Sequence, residues 1–415
     1  MKLFQKLLLA PAAIGVLAPI AANANEANLK EVSNYSQSDI EITQDTFNPL
    51  TTINPLLAGG EGLDQNSNNN FDTDSFSSTT TLDGKAVFVF GAVDGINELG
   101  GTTTGQTTVT ADSDAGNLSG KKVVVKDAAK AKYSEALGAA YVYQMNLNTS
   151  FTGDDNLYVR LKAGNGWTSF GEKPGTYLNE TKGTSNALNV DKIWYTLPLG
   201  DKVEATFGPL IENYYMLAAS PSVYQPKILK AFRFGGHGVA FGASTSTGLG
   251  LKYTADNGFA SSITINSKGA DDKSGFLTDQ DVNKLNVMAA YTKDNYHLSA
   301  TYTTQHGKFN AFNYFSTAAV ASSVDKSGYA LRAWFRPDET GTAVPSVSVG
   351  FDTVDFADNI NGYQNGSGYS IAFNWQDMFQ ADDVIGVALG QPIKGDDEDI
   401  DPFLWEAYYS FRPND

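Results

Sequence analysis

The stretch that most constrains the fold is Ala136 to Ala163, ALGAAYVYQMNLNTSFTGDDNLYVRLKA. Leu137, Ala139, Tyr141, Tyr143, Met145, Leu147 and Phe151 hold alternate positions, with Gly138, Gln144, Asn146, Asn148 and Ser150 between them. A period of two means a strand with one apolar and one wet face. Gly153 to Asn156 make a turn, after which Leu157, Val159, Leu161 and Ala163 alternate with Tyr158, Arg160 and Lys162. The pattern predicts a β-hairpin of about ten residues per arm, long enough for a tilted strand to cross a bilayer.

The chain opens with an export signal. Lys2 and Lys6 precede an apolar run, Leu7 to Ile20, and Ala22 with Ala24 supplies an A-x-A site, so cleavage is expected after Ala24. Residues 25–75 are polar and weakly patterned, which suits a flexible periplasmic segment before a barrel domain over 76–415. No later stretch reaches 18 consecutive apolar residues, so a spanning helix is not expected, but a closed β-barrel satisfies its backbone in lipid equally well. Without Lys2 and Lys6 the chain keeps 27 basic against 46 acidic side chains, net −19, which argues against nucleic acid as a partner. An exported chain without cysteine must be stabilised by ladders and packing rather than by disulfides.

Alternating runs begin at Leu82 to Phe90 and recur to the end: 193–199, 203–207, 249–253, 259–265, 285–291, 296–302, 329–335, 347–351, 369–375, 385–389 and 405–411. With the two arms of the hairpin the expected count is fourteen strands. Links at 200–202, 254–258 and 293–295 are short, whereas those at 92–136, 267–283, 305–326 and 352–367 are long. A small hairpin is expected at Lys121 to Lys126 within the first of the long ones. Alternation alone also fits a secreted β-sandwich or β-solenoid. Fourteen strands, however, enclose more space than side chains fill, the second face is rich in Gly, Ser, Thr, Asn, Arg and Lys, and the loop lengths alternate by side. The expected fold is all-β, a transmembrane antiparallel up-and-down β-barrel with long extracellular loops.

Several segments carry a resemblance. The Gly200-Asp201-Lys202 turn leads into a strand ending at Gly208-Pro209, then Met216-Leu217-Ala218, Pro221-Ser222 and Tyr224; Gly386 to Pro392 and Trp405-Glu406 add to it. Over Gly200 to Phe232 the sequence resembles the cyanobacterial branch of the carbohydrate-selective porin family, whose members are also called iron-uptake porins. The resemblance implies an outer-membrane porin, a homotrimer among outer-membrane lipids, passing small hydrophilic solutes such as ions, sugars or inorganic nutrients by passive diffusion. Two departures stand out. The surface-layer homology domain and coiled coil of that branch are replaced by about fifty residues without heptads. The family barrel looks like sixteen strands, while this chain stops at Asp415, so either fourteen strands close the barrel or, as the resemblance slightly favours, the chain is truncated.

Selectivity in a diffusion channel is set by its narrowest ring. Leu210 to Thr245 is the candidate constriction loop and offers Glu212, Lys227, Lys230 and Arg233. The wet strand faces supply Arg160, Lys162, Lys192, Arg332 and Arg336, a basic wall that would favour anions locally. Trp194 and Trp334 fall on the wet face as candidate sugar-stacking rings, and Trp375 and Trp405 on the lipid face. The acidic clusters 112–114 and 396–401 lack calcium-loop spacing, the three His lack metal-ligand spacing, and no cofactor is called for. His297 with Ser299 on one face is too common a pairing to imply an enzyme. The alternative function is a surface-exposed structural or adhesion β-protein.

Overall fold

The computed structural model describes residues 79–91, 106–108, 122–124, 138–166, 178–180, 182–236, 240–241, 245–270, 273, 275–307, 325–360, 363–396 and 403–412. The expected export signal with Ala22 and Ala24, the 25–75 segment, the 112–114 cluster and His237 lie outside them.

Among the described residues each alternating run contains a strand, although Phe151, Leu199 and Phe411 fall just beyond strand ends. The strands are β1 (Thr80–Gly91), β2 (Gln106–Thr108), β3 (Lys122–Val124), β4 (Gly138–Thr149), β5 (Asn156–Gly164), β6 (Asn189–Pro198), β7 (Val203–Ile211) and β8 (Ser246–Thr254). They continue with β9 (Phe259–Ser267), β10 (Asn283–Thr292), β11 (Tyr296–His306), β12 (Lys326–Phe335), β13 (Ser346–Ile360), β14 (Tyr363–Gln376), β15 (Val384–Gly395) and β16 (Leu404–Ser410). All but β2 and β3 form one 14-stranded antiparallel sheet in chain order, an up-and-down meander.

Two connections differ from expectation. Residues 352–367 are mostly ladder rather than loop: Thr353 pairs with Ser367 and Asp355 with Asn365, leaving two residues between β13 and β14. Their Asn, Gly and Asp content reads as loop, but Asp352, Val354 and Phe356 keep the period of two and are all buried. The segment expected to fold on itself at 121–126 instead pairs Lys122–Val124 with Gln106–Thr108.

The two faces differ sharply. Outward stand Leu82, Phe88, Leu249, Leu251, Leu298, Leu331, Phe351 and Trp405, each exposed. Inward, and buried, are Asn146, Ser262, Thr264, Asn286, Thr301, Thr303 and Ser348. Aromatic residues gather at the ends of the outward face. At the short-turn end lie the ring pairs Phe151–Tyr195, Tyr195–Phe207, Tyr253–Phe259, Tyr291–Tyr296 and Tyr409–Phe411. At the other end lie Phe88, Phe90, the Tyr302–Tyr329 pair and Trp405.

The sheet is rolled up. Lys85 on β1 pairs with Glu180, two residues from Leu178 in the β5–β6 connection; Leu178 bridges Leu229, whose N–H reaches Glu406 on β16 at 2.6 Å. Strands β1 and β16 are thirteen steps apart in the sheet, about 62 Å if it were flat. Only a curled sheet brings them together. No ladder joins β1 to β16 among the described residues; the seam is spanned from within, with Lys85 on β1 paired to Glu180 at 2.9 Å beside the Leu178 bridge.

Candidate functional site

The connection between β7 and β8 does not leave the barrel but turns into it. Gly208 allows the entry, since a Cβ there would overlap Ile193 and Trp194. Two short 3-10 turns follow, Asn213–Met216 and Lys230–Gly235. Phe234 at φ 59 and Gly235 and Gly236 at φ 70 and 116 provide the left-handed backbone that bends the second turn back. Tyr214, Tyr215, Met216, Leu217, Phe234 and Phe241 pack with wall residues Tyr158, Trp194 and Met288 into one buried cluster inside the sheet.

The inner wall anchors this loop at several points. On β5, Arg160 is fully buried and donates from Nη1 to the Tyr215 hydroxyl at 2.9 Å and from Nε to the Tyr158 hydroxyl at 2.9 Å and Asn146 Oδ1 at 3.2 Å. On β6, Lys192 lies 3.5 Å from Glu212 and 3.3 Å from Asp191, and donates to Thr245 at 2.7 Å. On β9 and β10, Ser262 accepts from the Ala218 N–H at 3.1 Å and Asn286 donates to the Ala240 carbonyl at 2.8 Å. On β12, Arg332 donates to the Phe234 carbonyl at 2.6 Å and the Gly236 carbonyl at 2.7 Å, while Asp352 holds its Nη2 at 2.8 Å. Ser370 donates to the Gly235 carbonyl at 2.6 Å. On β16, the Glu406 carboxylate accepts from the Tyr224 hydroxyl at 2.6 Å and from the Ile228 and Leu229 N–H groups at 3.2 and 2.6 Å.

The expected basic wall is therefore divided. Arg160, Lys192 and Arg332 do sit on the inward faces, but they are buried and their hydrogen bonds go to the loop and its neighbours, so they do not form an open wall. The physical reason is that a guanidinium with several fixed donors satisfies carbonyl and hydroxyl acceptors that the docked backbone would otherwise leave orphaned. Lys162 is different: half-buried on β5, it makes no hydrogen bond or ion pair with the described residues. Lys227, Lys230 and Arg233 lie half-buried along the loop, with the Arg233 guanidinium 5.3 Å from the Tyr214 ring. Arg336 stands at the short-turn mouth, 5.7 Å over the Trp334 ring.

Both expected stacking rings are occupied, which corrects their reading as free rails. Trp194 lies between Tyr158 at 4.1 Å and Tyr215 at 4.7 Å between ring centroids. Trp334 stacks on His297 at 5.5 Å and donates to the Ser220 carbonyl at 3.1 Å. His297 is buried, with Nδ1 2.7 Å from Thr292 and Nε2 2.8 Å from Ser299.

Charge on the loop is set by its neighbours. Burial pushes the Glu212 carboxyl up, but Lys192 and the hydrogen bond from the Tyr214 hydroxyl outweigh it and hold it below the usual range. Burial raises the Tyr214 and Tyr215 hydroxyls well above theirs. Sequence reading missed Lys85, Glu180, Lys182 and Asp191, a set of half-buried and buried charges beside Lys162, in which Lys182 pairs closely with Asp191. Lys85 does sit at a wet-face position of an alternating run, whereas Asp191 shares the parity of Ile193 and Tyr195 and falls where the β5–β6 register shifts, so alternation does not assign it inward.

No family model and no curated protein matches the sequence. Among solved structures, Pseudomonas putida OprB is similar over 64% of this chain and 71% of its own, with 14% identity and a TM-score of 0.44. A Salmonella typhi OmpF complex with daunomycin covers 81% and 87%, with 11% identity and a TM-score of 0.44. The outer membrane channel DcaP of Acinetobacter baumannii covers 81% and 99%, with 12% identity and a TM-score of 0.39. At such identities, with TM-scores under 0.5, these are likenesses and nothing more.

Proposed function

We propose that the protein is an outer-membrane porin through which small hydrophilic solutes diffuse passively, narrowed by the loop between β7 and β8. One observation carries the reading: a rolled sheet whose outward face is apolar between two aromatic belts and whose inward face is polar. Contiguous exposed apolar surface of that extent is unstable in water and stable in lipid, with aromatic rings at the headgroup levels.

Within this reading Glu212, Lys227, Lys230 and Arg233 belong to the constriction, with Lys162 and Arg336 facing the solute path and Arg160, Lys192 and Arg332 fixing the loop that defines it. A half-buried ammonium at Lys162, without an ion pair among the described residues, favours anions locally in spite of the acidic total. Export through the cleaved signal, assembly as a homotrimer and membership of the carbohydrate-selective branch, with sugars among the solutes, are parts of the proposal that rest on the sequence. Swelling of vesicles containing the refolded protein tests it. Vesicles should swell in arabinose or glycine faster than protein-free vesicles; equal rates with inserted, folded protein would refute the channel.

A further inference from the structure

We propose that a groove on the outward face of β10 to β13 holds one acyl tail of an anionic phospholipid, with Lys293 meeting its phosphate. The inference rests on the membrane reading, because the groove opens to the side that faces lipid.

The groove is built by a checkerboard of small and large residues. Ala300 pairs with Leu331 across the strands, and Leu298 pairs with Ala333. The two alanines are diagonal neighbours, as are the two leucines, which stand out from the sheet at 58% and 49% exposure. The floor therefore steps from Ala289, the cross-strand partner of Ala300, through Ala300 to Ala333, running obliquely between the leucines. Its volume is about 590 Å³ and its lining is predominantly apolar, with Tyr291 at the short-turn end and Phe351 at the other side.

Two observations select the occupant. First, the trough is one side chain wide and is lined by 13 residues, whereas a stable protein interface takes about 20–30 a side. That favours a single extended chain over a second copy of the barrel. Second, the Lys293 ammonium, in the turn after β10, lies 5.7 Å from the centroid of the Tyr291 ring that bounds the groove. Lys293 forms no ion pair among the described residues and stands within the short-turn aromatic belt, the level at which a phosphate would sit.

The test weighs the folded protein by native mass spectrometry after incubation with palmitoyl-oleoyl phosphatidylglycerol or the matching phosphatidylcholine. Wild type should retain one phosphatidylglycerol per barrel in preference to phosphatidylcholine. Ala300→Phe and Ala333→Leu, which fill the floor from the lipid side, should each reduce retention at least tenfold, and Lys293→Gln should abolish the headgroup preference. Heat-modifiable mobility identifies folded variants, and either floor variant suffices if the other does not fold. Retention unchanged in a folded floor variant overturns the proposal. So does an oligomer without lipid that dissociates on Ala300→Phe, which would assign the groove to a second copy. Wild type that folds but fails to insert into vesicles overturns the membrane reading and the groove together, whereas insertion without retained lipid overturns the groove alone.

Discussion

Leu229 donates its backbone N–H to the Glu406 carboxylate at 2.6 Å across 177 residues of sequence, and the same carboxylate accepts from the Ile228 N–H and the Tyr224 hydroxyl. The last strand thus holds the far end of the inward loop. Replacing Glu406 by Ala leaves buried donors unsatisfied, a cost of about 2–3 kcal/mol. A lowered urea midpoint and noisier open-channel current are expected, with Glu406→Gln intermediate because it keeps one acceptor.

Gly350 on β13 lies directly beneath the loop. A Cβ there would fall inside the envelope of the Gly235 carbonyl oxygen and crowd the Arg332 side chain. Gly350→Ala should push the loop off its seat while leaving the outer face untouched. Larger unit conductance at nearly unchanged heat-modifiable mobility is the expected outcome; conductance identical to wild type would mean that the loop does not limit flow.

The Glu212 carboxyl gives the loop a pH dependence. Its folded-state pKa is lowered, by Lys192 and Tyr214 against the effect of burial, so the stabilisation it confers is complete above the unfolded carboxylate value, about 4.3. It is lost as pH falls through the lower folded value. Acidification below about pH 4 should therefore loosen the loop reversibly and raise conductance, and Glu212→Gln should remove that step.

Leu251 on β8 stands outward at mid-strand, 43% exposed. An arginine there would cost about 2–4 kcal/mol if the face meets the bilayer core. Leu251→Arg should depress the folded fraction in vesicles, and an unchanged fraction would put that face in water.

Much of this was legible in the residues because a strand reports its two faces locally. Leu82 to Phe90 and Leu298 to Tyr302 could be assigned outward from their neighbours alone, and the 210–245 insertion was recognisable by its length. What a wet face meets was not legible. Arg160 and Lys162 are two residues apart on the same face, yet one is buried against Tyr215 and the other is half-buried with no hydrogen bond or ion pair among the described residues, because the loop docks over one and not the other. Nothing within ten residues of Glu406 announces Leu229, since that contact is made only by rolling up the sheet. Asp352 to Asn365 failed for a different reason: turn-forming residues in a long paired hairpin carry a local signal that the ladder overrides.

The most direct test of the channel is planar-bilayer conductance of the refolded protein, with reversal potential read in a salt gradient for wild type and Lys162→Gln. Stepwise openings with an anion preference that falls in the variant are the expected result. Protein that is demonstrably folded and inserted but produces no openings would contradict the account.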